Sequence, residues 1–300
     1  MRNRIGGLLI WLMGALVFAS PALAQVYYSG GRSDEQKKAA EDSKATLKYD
    51  PHDLTGIWRT VGGGGPRPGS KDPIVGDAAT SPLMGGAPPP PMTPWAKAIF
   101  DARKPSAVES WQSRRVAPAL GNDPVGKCDP LGFPRVLAGG PVEFWQTPNK
   151  ILQVFNQVGY GMSMREIFLD GRKIPDDLDA RWNGWATGHW EGDDTLVVDS
   201  TGYDERGWLD GNGWPHSENM KLHEVYRHPD AQTLEITMTL DDPKAYTKPW
   251  VGNKETFKLA LPKGPTILYE EYCVPSEEEK FNQGVRNPAG GDVKNSRPLK

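Results

Sequence analysis

Residues 187–201, which read "TGHWEGDDTLVVDST", decide the fold of this chain. Apolar and polar residues alternate on both sides of a short turn that contains glycine and aspartate, which is the pattern of an antiparallel β-hairpin. If Glu191 and Thr195 flank the turn, His189 faces Val197 across the two strands. This register predicts one face with His189, Glu191, Val197 and Asp199, and an opposite face with Trp190, Leu196 and Val198.

The same alternation continues through most of the chain from residue 142 onward. The segments that share it read "VEFWQT", "KILQVFNQ", "SMREIFLD", "TGHWE", "TLVVDST", "KLHEVYRH", "TLEITMTL", "ETFKLAL" and "TILYEEYC". Turn-forming stretches such as "TPNK", "EGDDT" and "HPDAQ" lie between most of them. With a strand at 56–61, about ten strands are expected in a mainly β protein, joined as an antiparallel meander that closes into a barrel. A β-sandwich is the alternative.

Composition indicates one β domain that carries an N-terminal extension. The expected segments are a signal peptide at 1–24, a lead-in and first strand at 25–61, a Gly/Pro-rich linker at 62–92, short helices and a loop at 93–141, the β-barrel domain at 142–276 and a polar tail at 277–300. One short helix is expected to begin after Thr93, which precedes a proline. Another is expected at Ser106, which has Glu109 at the spacing of a capping box.

Residues 1–24 have the organisation of a secretory signal peptide. Arg2 and Arg4 precede an apolar run, and alanines at 22 and 24 form a small-residue cleavage site. Gln25 stands where a lipoprotein would need cysteine. We therefore expect a periplasmic or secreted protein that is not membrane-embedded, since no later segment is apolar enough to span a bilayer.

Charge and motifs exclude several classes of partner. The net charge of −3 becomes −5 when Arg2 and Arg4 leave with the signal peptide, and no basic cluster suits nucleic acid. The stretch "VGGGGPRPGSKD" at 61–72 has glycines at the spacing of a phosphate-binding loop, but Ser70 precedes Lys71. Two prolines also remove amide donors. No nucleotide and no cofactor are expected, and a small-molecule ligand remains as the partner.

Cys128 and Cys273 are the two cysteines of the chain. In an oxidising compartment a single pair indicates one disulfide. A reactive or metal-binding cysteine would need a CxxC spacing or an adjacent histidine, which the sequence lacks. We therefore expect a disulfide between Cys128 and Cys273.

Two groups of motifs carry a resemblance to known families. "LTGIW" at 54–58 resembles the G-x-W start of lipocalin and calycin barrels, whose tryptophan closes one barrel end, and the resemblance implies a lipocalin-like barrel. The segment between the cysteines resembles a family of uncharacterised secreted bacterial β-rich proteins, which implies secretion and leaves the chemistry open. Its motifs are "CDPLGFPR" at 128–135, "EFWQTP" at 143–148, "REIFLDGRKIP" at 165–175, "GHWEGDDTLVVDSTGYDERGWLD" at 188–210, "PHSE" at 215–218 and "DDPKAYTKPW" at 241–250.

The hairpin offers one candidate for acid–base chemistry. His189 and Asp199 would be diagonal neighbours on one face, close enough for the carboxylate to orient the imidazole as a general base or acid. Glu224 is a further catalytic candidate, because it shares a face with Leu222 and Tyr226 that is otherwise largely apolar. The alternative for all three is an ordinary solvated surface.

Aromatic residues are the candidates for ligand binding. They are Trp182, Trp185, Trp190, Trp208, Trp214 and Tyr226. Exposed tryptophan faces stack against sugars or aromatic compounds, although such residues also plug barrel ends or pack loops. A metal site is the weakest candidate and none is expected, because the histidines form no i,i+4 pair.

Three functions remain open on the sequence alone. The leading hypothesis is a periplasmic or secreted lipocalin-like protein that binds a small apolar or aromatic compound in its interior. An acid–base enzyme, such as a lyase, isomerase or hydrolase, could instead work through His189, Asp199 and Glu224. A carbohydrate-binding β-sandwich is the third possibility.

Overall fold

The computed structural model describes residues 49–60, 90–105, 121–138, 141–157, 161–260 and 272–274, which form a mainly β structure. The strands are β1 (Gly56–Thr60), β2 (Val142–Thr147), β3 (Lys150–Gln157), β4 (Gly161–Phe168), β5 (Trp185–Glu191), β6 (Thr195–Thr201), β7 (Lys221–Asp230), β8 (Thr233–Asp241), β9 (Trp250–Val251) and β10 (Glu255–Ala260). The described helices are α1 (Pro94–Ala102) and two short 3₁₀ helices, Pro124–Lys127 and Arg135–Ala138.

Nine of the strands close into a barrel, which confirms the predicted architecture. Neighbours pair in chain order from β1 to β8, and β10 joins β8 to β1, while β9 extends the sheet beside β8. The meander is not wholly antiparallel, because β4 and β5 run parallel and share only the pairs Ile167–Ala186 and Phe168–Thr187. An odd number of strands can close only if one neighbouring pair is parallel.

The hairpin of β5 and β6 has the predicted register. His189 lies opposite Val197, and Glu191 lies opposite Thr195. Leu196 is fully buried on the inner face, whereas His189 and Glu191 are exposed on the outer face. Alternation in the sequence therefore assigned the two faces of this hairpin correctly.

Both ends of the barrel are covered by segments outside the sheet. Inside, the strands bury large side chains such as Trp58, Phe144 and Phe155. The upper end, where β1 finishes, is covered by α1 and residues 121–138, which contact the loops between β6 and β7 and before β5. The lower end, where β1 begins, is covered by residues 49–55.

The N-terminal extension is described only in part. The helix α1 begins where predicted, with Thr93 Oγ1 accepting a hydrogen bond from the Ala96 amide at 3.3 Å. Met92 forms an isolated β-bridge with Tyr246, which holds the start of α1 at the upper end. The expected signal peptide, residues 62–89 of the linker, the helix at Ser106, most of the last strand and the tail at 277–300 lie outside the described residues. Within the described ranges, no helix is long and apolar enough to cross a membrane.

The predicted disulfide is confirmed. Cys128 and Cys273 are bridged with their Cα atoms 5.3 Å apart and are separated by 145 residues in sequence. A loop of that length contributes roughly 4–5 kcal/mol through the entropy of the unfolded chain. The bridge connects the segment that covers the upper end to the chain that follows β10.

Gly184 offers a test of how β5 enters the barrel. Its φ is +65°, and a Cβ at this position would lie 2.6 Å from the ring of Tyr203. Gly192, in the β5–β6 turn, has a φ of +61° but no atom within 4 Å of an added Cβ. We expect Gly192→Ala to lower the free energy of unfolding by about 1–2 kcal/mol through backbone strain. Gly184→Ala should cost distinctly more in urea denaturation, and equal losses would contradict the contact with Tyr203.

Candidate functional site

A connected set of polar side chains lies inside the barrel at inward positions of β3, β4, β6 and β7 and just after β6. We call it the interior cluster; its members are Gln153, Arg165, Ser200, Tyr203, Glu224 and Tyr226. All six are buried, and apolar side chains surround them. Polar groups inside a barrel need hydrogen-bond partners there, because water cannot reach them. A buried polar cluster of this kind is therefore the strongest candidate for a functional site.

The centre of the cluster is an ion pair between Arg165 and Glu224. Nη1 of Arg165 donates to Oε2 of Glu224 at 2.9 Å, and Nη2 donates to Oε1 at 2.5 Å. Both side chains are 0% exposed. A two-pronged pair of this kind is strong and directional, but its desolvation can cost as much as the attraction returns.

Neutral side chains complete the hydrogen bonds of the carboxylate. Tyr226 donates its hydroxyl to Oε2 of Glu224 at 2.7 Å, and Ser200 donates to Oε1 at 2.7 Å. Tyr203 in turn donates to Ser200 Oγ at 2.6 Å. Gln153 donates to the Tyr226 hydroxyl at 3.2 Å. The Glu224 carboxylate therefore accepts hydrogen bonds from Ser200 and Tyr226 as well as from the guanidinium of Arg165.

The two tyrosines and the arginine of the cluster keep their protons at neutral pH. Burial raises the pKa of both Tyr203 and Tyr226, so their hydroxyls remain donors. Burial also disfavours the Arg165 cation, but the facing Glu224 carboxylate outweighs it and the pKa of Arg165 is raised. The cluster is thus a preorganised set of charges and dipoles that suits binding better than proton transfer.

Phe133 covers the guanidinium of Arg165 on the side facing the upper end. The centre of the guanidinium lies 3.9 Å from the centroid of the Phe133 ring, which also contacts Phe155 at 6.1 Å. The segment that carries Phe133 is held by a buried ion pair between Arg135 and Asp123, 2.8 Å apart. An aromatic ring stacked on a desolvated cation is therefore already part of this interior.

The parallel junction of β4 and β5 has the fewest registered pairs of any two neighbouring strands in the barrel wall. Above its two registered pairs, the side-chain amide of Asn183 donates to the carbonyl of Met164 at 3.0 Å, where a backbone donor would otherwise stand. Two buried atoms near this junction have no hydrogen-bond partner among the described residues: Oδ1 of Asn183 and Nε of Arg165. Buried groups of this kind are satisfied by ordered water or by a ligand.

The hydrogen bond expected between His189 and Asp199 is not formed in the structure, while the catalytic role predicted for them stays a prediction. His189 Nε2 donates to Glu191 at 2.9 Å, whereas Asp199 accepts from His223 Nδ1 at 2.8 Å. The reason is that β7 places His223 directly opposite Asp199, closer than a diagonal neighbour. Both pairs are exposed on the outer face of the barrel. Glu224, by contrast, faces inward.

The tryptophans expected to bind a ligand lie at different places in the fold. Trp190 lies at the lower end, in ring contact with His52. Trp182 and Trp185, near the start of β5, each have an arginine over the ring, at 4.8 Å for Arg206 and 3.3 Å for Arg181. They do not share one stacking surface with Trp190.

The remaining aromatic candidates divide between the upper loops and the interior. Trp208 is buried with Arg103 5.1 Å from its ring, and Trp214 stacks on Phe100 with centroids 4.6 Å apart. Tyr226 is the one of the six aromatic candidates that belongs to the interior cluster. Its role in ligand binding stays a prediction, with a position that suits it.

A second set of buried titratable groups fastens the upper loops. Burial raises the pKa of Asp210 to about 6 and lowers the pKa of His216 to about 4. Asp242 accepts from the Ser217 amide at 2.6 Å and from the Ser217 hydroxyl at 2.7 Å. This geometry joins the loop between β6 and β7 to the loop that follows β8. Across the described residues, no group of three His, Cys, Asp or Glu side chains could hold a metal ion.

Several members of the interior cluster were not predicted from the sequence, although the sequence pattern indicated some of them. Gln153 shares the inward stripe of β3 with Ile151 and Phe155, so a polar residue on an apolar stripe marked it. Arg165 had a misleading signal, because the apolar Met164 beside it points outward. Comparisons with known protein families, with curated proteins and with solved structures give no match. Function is therefore inferred from the geometry.

The ion pair can be tested by changing one partner and then both. Glu224→Gln keeps the shape and an acceptor but leaves the Arg165 cation buried without a counter-charge, so we expect a loss of roughly 3–5 kcal/mol in the free energy of unfolding. Adding Arg165→Met should recover most of that loss, because it removes the uncompensated charge. Urea denaturation measures the free energy of unfolding of both variants. A double variant no more stable than Glu224→Gln alone would contradict a coupled pair.

Proposed function

We propose that this protein binds a small aromatic compound inside its barrel, with the interior cluster as the anchor. The observation that supports it is the fully buried pair of Arg165 and Glu224, enclosed by aromatic side chains. Replacing a buried ion pair by apolar residues is often neutral or stabilising. A buried ion pair at the centre of the barrel is therefore best explained if its two charges serve a function.

The interior also suggests which chemistry the ligand has. Phe133 occupies the face of the Arg165 guanidinium, so a ligand ring could take its place there with the same cation–π geometry. Nε of Arg165 is a donor without a partner among the described residues, which suits an oxygen acceptor on the ligand. A neutral aromatic carbonyl compound fits both features, since the pair already balances its own charge.

Movement of Phe133 would open the site while the rest of its segment stays in place. The disulfide at Cys128 and the ion pair of Arg135 with Asp123 hold that segment on both sides. A side-chain rotation is a smaller change than displacement of the segment. Ligand and Phe133 ring therefore compete for one position, and the affinity of the ligand is reduced by that competition.

The proposed location is the periplasm or the cell exterior. The disulfide is typical of oxidising compartments, and the expected signal peptide and the resemblance to a secreted family agree with it. An acid–base enzyme has less support, since Asp199 and His189 have separate partners on the outer face. A carbohydrate-binding sandwich has less support in a closed barrel whose tryptophans are dispersed.

A fluorescent probe tests the proposed site. Prodan is a neutral naphthalene with a ketone oxygen, and we expect it to bind the full oxidised protein with a blue-shifted emission. Phe133→Leu should tighten prodan binding about tenfold, because the competing ring is removed. Phe100→Leu is the matched control, since Phe100 stacks on Trp214 in the upper loops, away from Arg165.

A second probe separates the aromatic contact from the polar one. N-phenyl-1-naphthylamine has rings of similar size but no oxygen acceptor. The double variant Arg165→Met with Glu224→Gln should lose prodan affinity more than affinity for N-phenyl-1-naphthylamine. Equal prodan affinities in wild type, Phe133→Leu and Phe100→Leu would overturn the proposal.

A further inference from the structure

Residues 49–55 form a short segment across the lower end of the barrel, which we call the strap. Tyr49 donates its hydroxyl to the carbonyl of His228, at 2.5 Å, near the end of β7. His52 lies 4.5 Å from Trp190 by ring centroids and contacts the Gly192 carbonyl at 3.2 Å. Gln146 of β2 donates to the His52 carbonyl and accepts from the Leu54 amide. The strap is thus fastened to β2, β7 and the β5–β6 turn.

His228 is the buried group beneath the strap. Its Nδ1 lies 3.3 Å from the carbonyl of Pro51, which can only accept, so Nδ1 carries the proton and Nε2 carries a lone pair. Nε2 is buried and has no hydrogen-bond partner among the described residues. The imidazole makes T-shaped contacts with the rings of Tyr49 and Trp58, whose centroids lie 5.2 and 5.5 Å from its own. A neutral imidazole is the form that this environment accommodates.

Protonation of Nε2 would create a buried cation without a hydrogen-bond acceptor among the described residues. Burial lowers the pKa of His228 for the same reason. In the closed strap the imidazole therefore resists its proton, and in an open strap water would solvate it.

The charges around His228 come from every neighbouring element. The strap contributes Tyr49, Asp50 and Asp53, and β7 itself contributes Asp230. The β5–β6 turn contributes Asp194, which is already paired with Arg227 at 3.1 Å, and Lys258 of β10 acts on Asp230. The aspartates favour the cation, but burial outweighs them.

We infer that the strap is a pH-sensitive closure, held by neutral His228 and released from the lower end of the barrel as the solution becomes mildly acidic. The direction follows from proton linkage. The open strap binds the proton more readily than the closed strap, so closure is fully stable above about pH 6.5, the ordinary value for imidazole. Below that pH the closure weakens, by at most about tenfold in its equilibrium constant per pH unit for one proton.

Amide hydrogen exchange followed by NMR on the full oxidised chain tests this inference. The Leu54 amide is the reporter, because its acceptor is the side chain of Gln146 outside the strap. After correction for the intrinsic exchange rate, we expect its protection to fall several-fold or more between pH 7.5 and 5.5. Local exchange is preferred to global unfolding, since His216 at the upper end also resists protonation.

Two matched variants identify the histidine responsible. His228→Asn keeps an N–H near the position of Nδ1 but cannot gain a proton, so the pH dependence of Leu54 protection should disappear. His52→Asn changes the exposed imidazole of the same strap and should leave that dependence in place. Unchanged pH dependence in His228→Asn, or its loss in His52→Asn, would overturn the inference.

A titration of wild-type protein keeps the test decisive if His228→Asn fails to fold. The ring proton resonances of His228 should titrate below the ordinary histidine value, and the Leu54 amide should shift over the same pH range. A His228 resonance that titrates at or above pH 6.5, with no accompanying change at Leu54, would contradict a closure held by neutral His228.

Discussion

The ion pair between Arg165 and Glu224 is the constraint on which the rest of the structure depends. It joins β4 to β7 across the barrel interior, and neither side chain reaches solvent. Because an unpaired charge at that depth would cost several kcal/mol, the ion pair fixes the inward orientation of these positions on β4 and β7 and the distance between the two strands. Ser200 and Tyr226 bind the same carboxylate, so β6 and the adjacent position of β7 are fixed with it. The centre of this barrel is therefore polar and rigid.

A barrel built around such a pair needs its ends closed, since water at the pair would screen it. The upper end has Phe133 directly over the guanidinium, on a segment fastened by a disulfide. The lower end has the strap over His228. The two closures differ in kind, since the upper one depends on a covalent bond and a buried ion pair. The lower closure depends on hydrogen bonds to neutral groups, and we infer that this end of the barrel responds to pH.

The sequence was sufficient for features set by local pattern and insufficient for those set by distant contacts. Strand alternation predicted the register of β5 with β6, and the single cysteine pair predicted the disulfide. The contact expected between His189 and Asp199 is absent because Asp199 accepts from His223 of β7. The pattern of the β5–β6 hairpin alone does not predict which residue of a third strand lies beside it. Arg165 was missed because Met164 points outward, so hydrophobicity alone assigns β4 the wrong inner face. The parallel junction is likewise hidden in an irregular connection between β4 and β5, whose path only the closed barrel determines.

The most direct test of the central claim is native mass spectrometry of the wild-type protein purified from its own cells. We expect a complex heavier than the disulfide-bonded chain, which releases a neutral aromatic compound on denaturation. The same preparation of the Arg165→Met, Glu224→Gln variant should be folded and free of that compound. If folded wild type has the mass of the chain alone, or if the double variant retains the same compound, the interior cluster is not a ligand anchor.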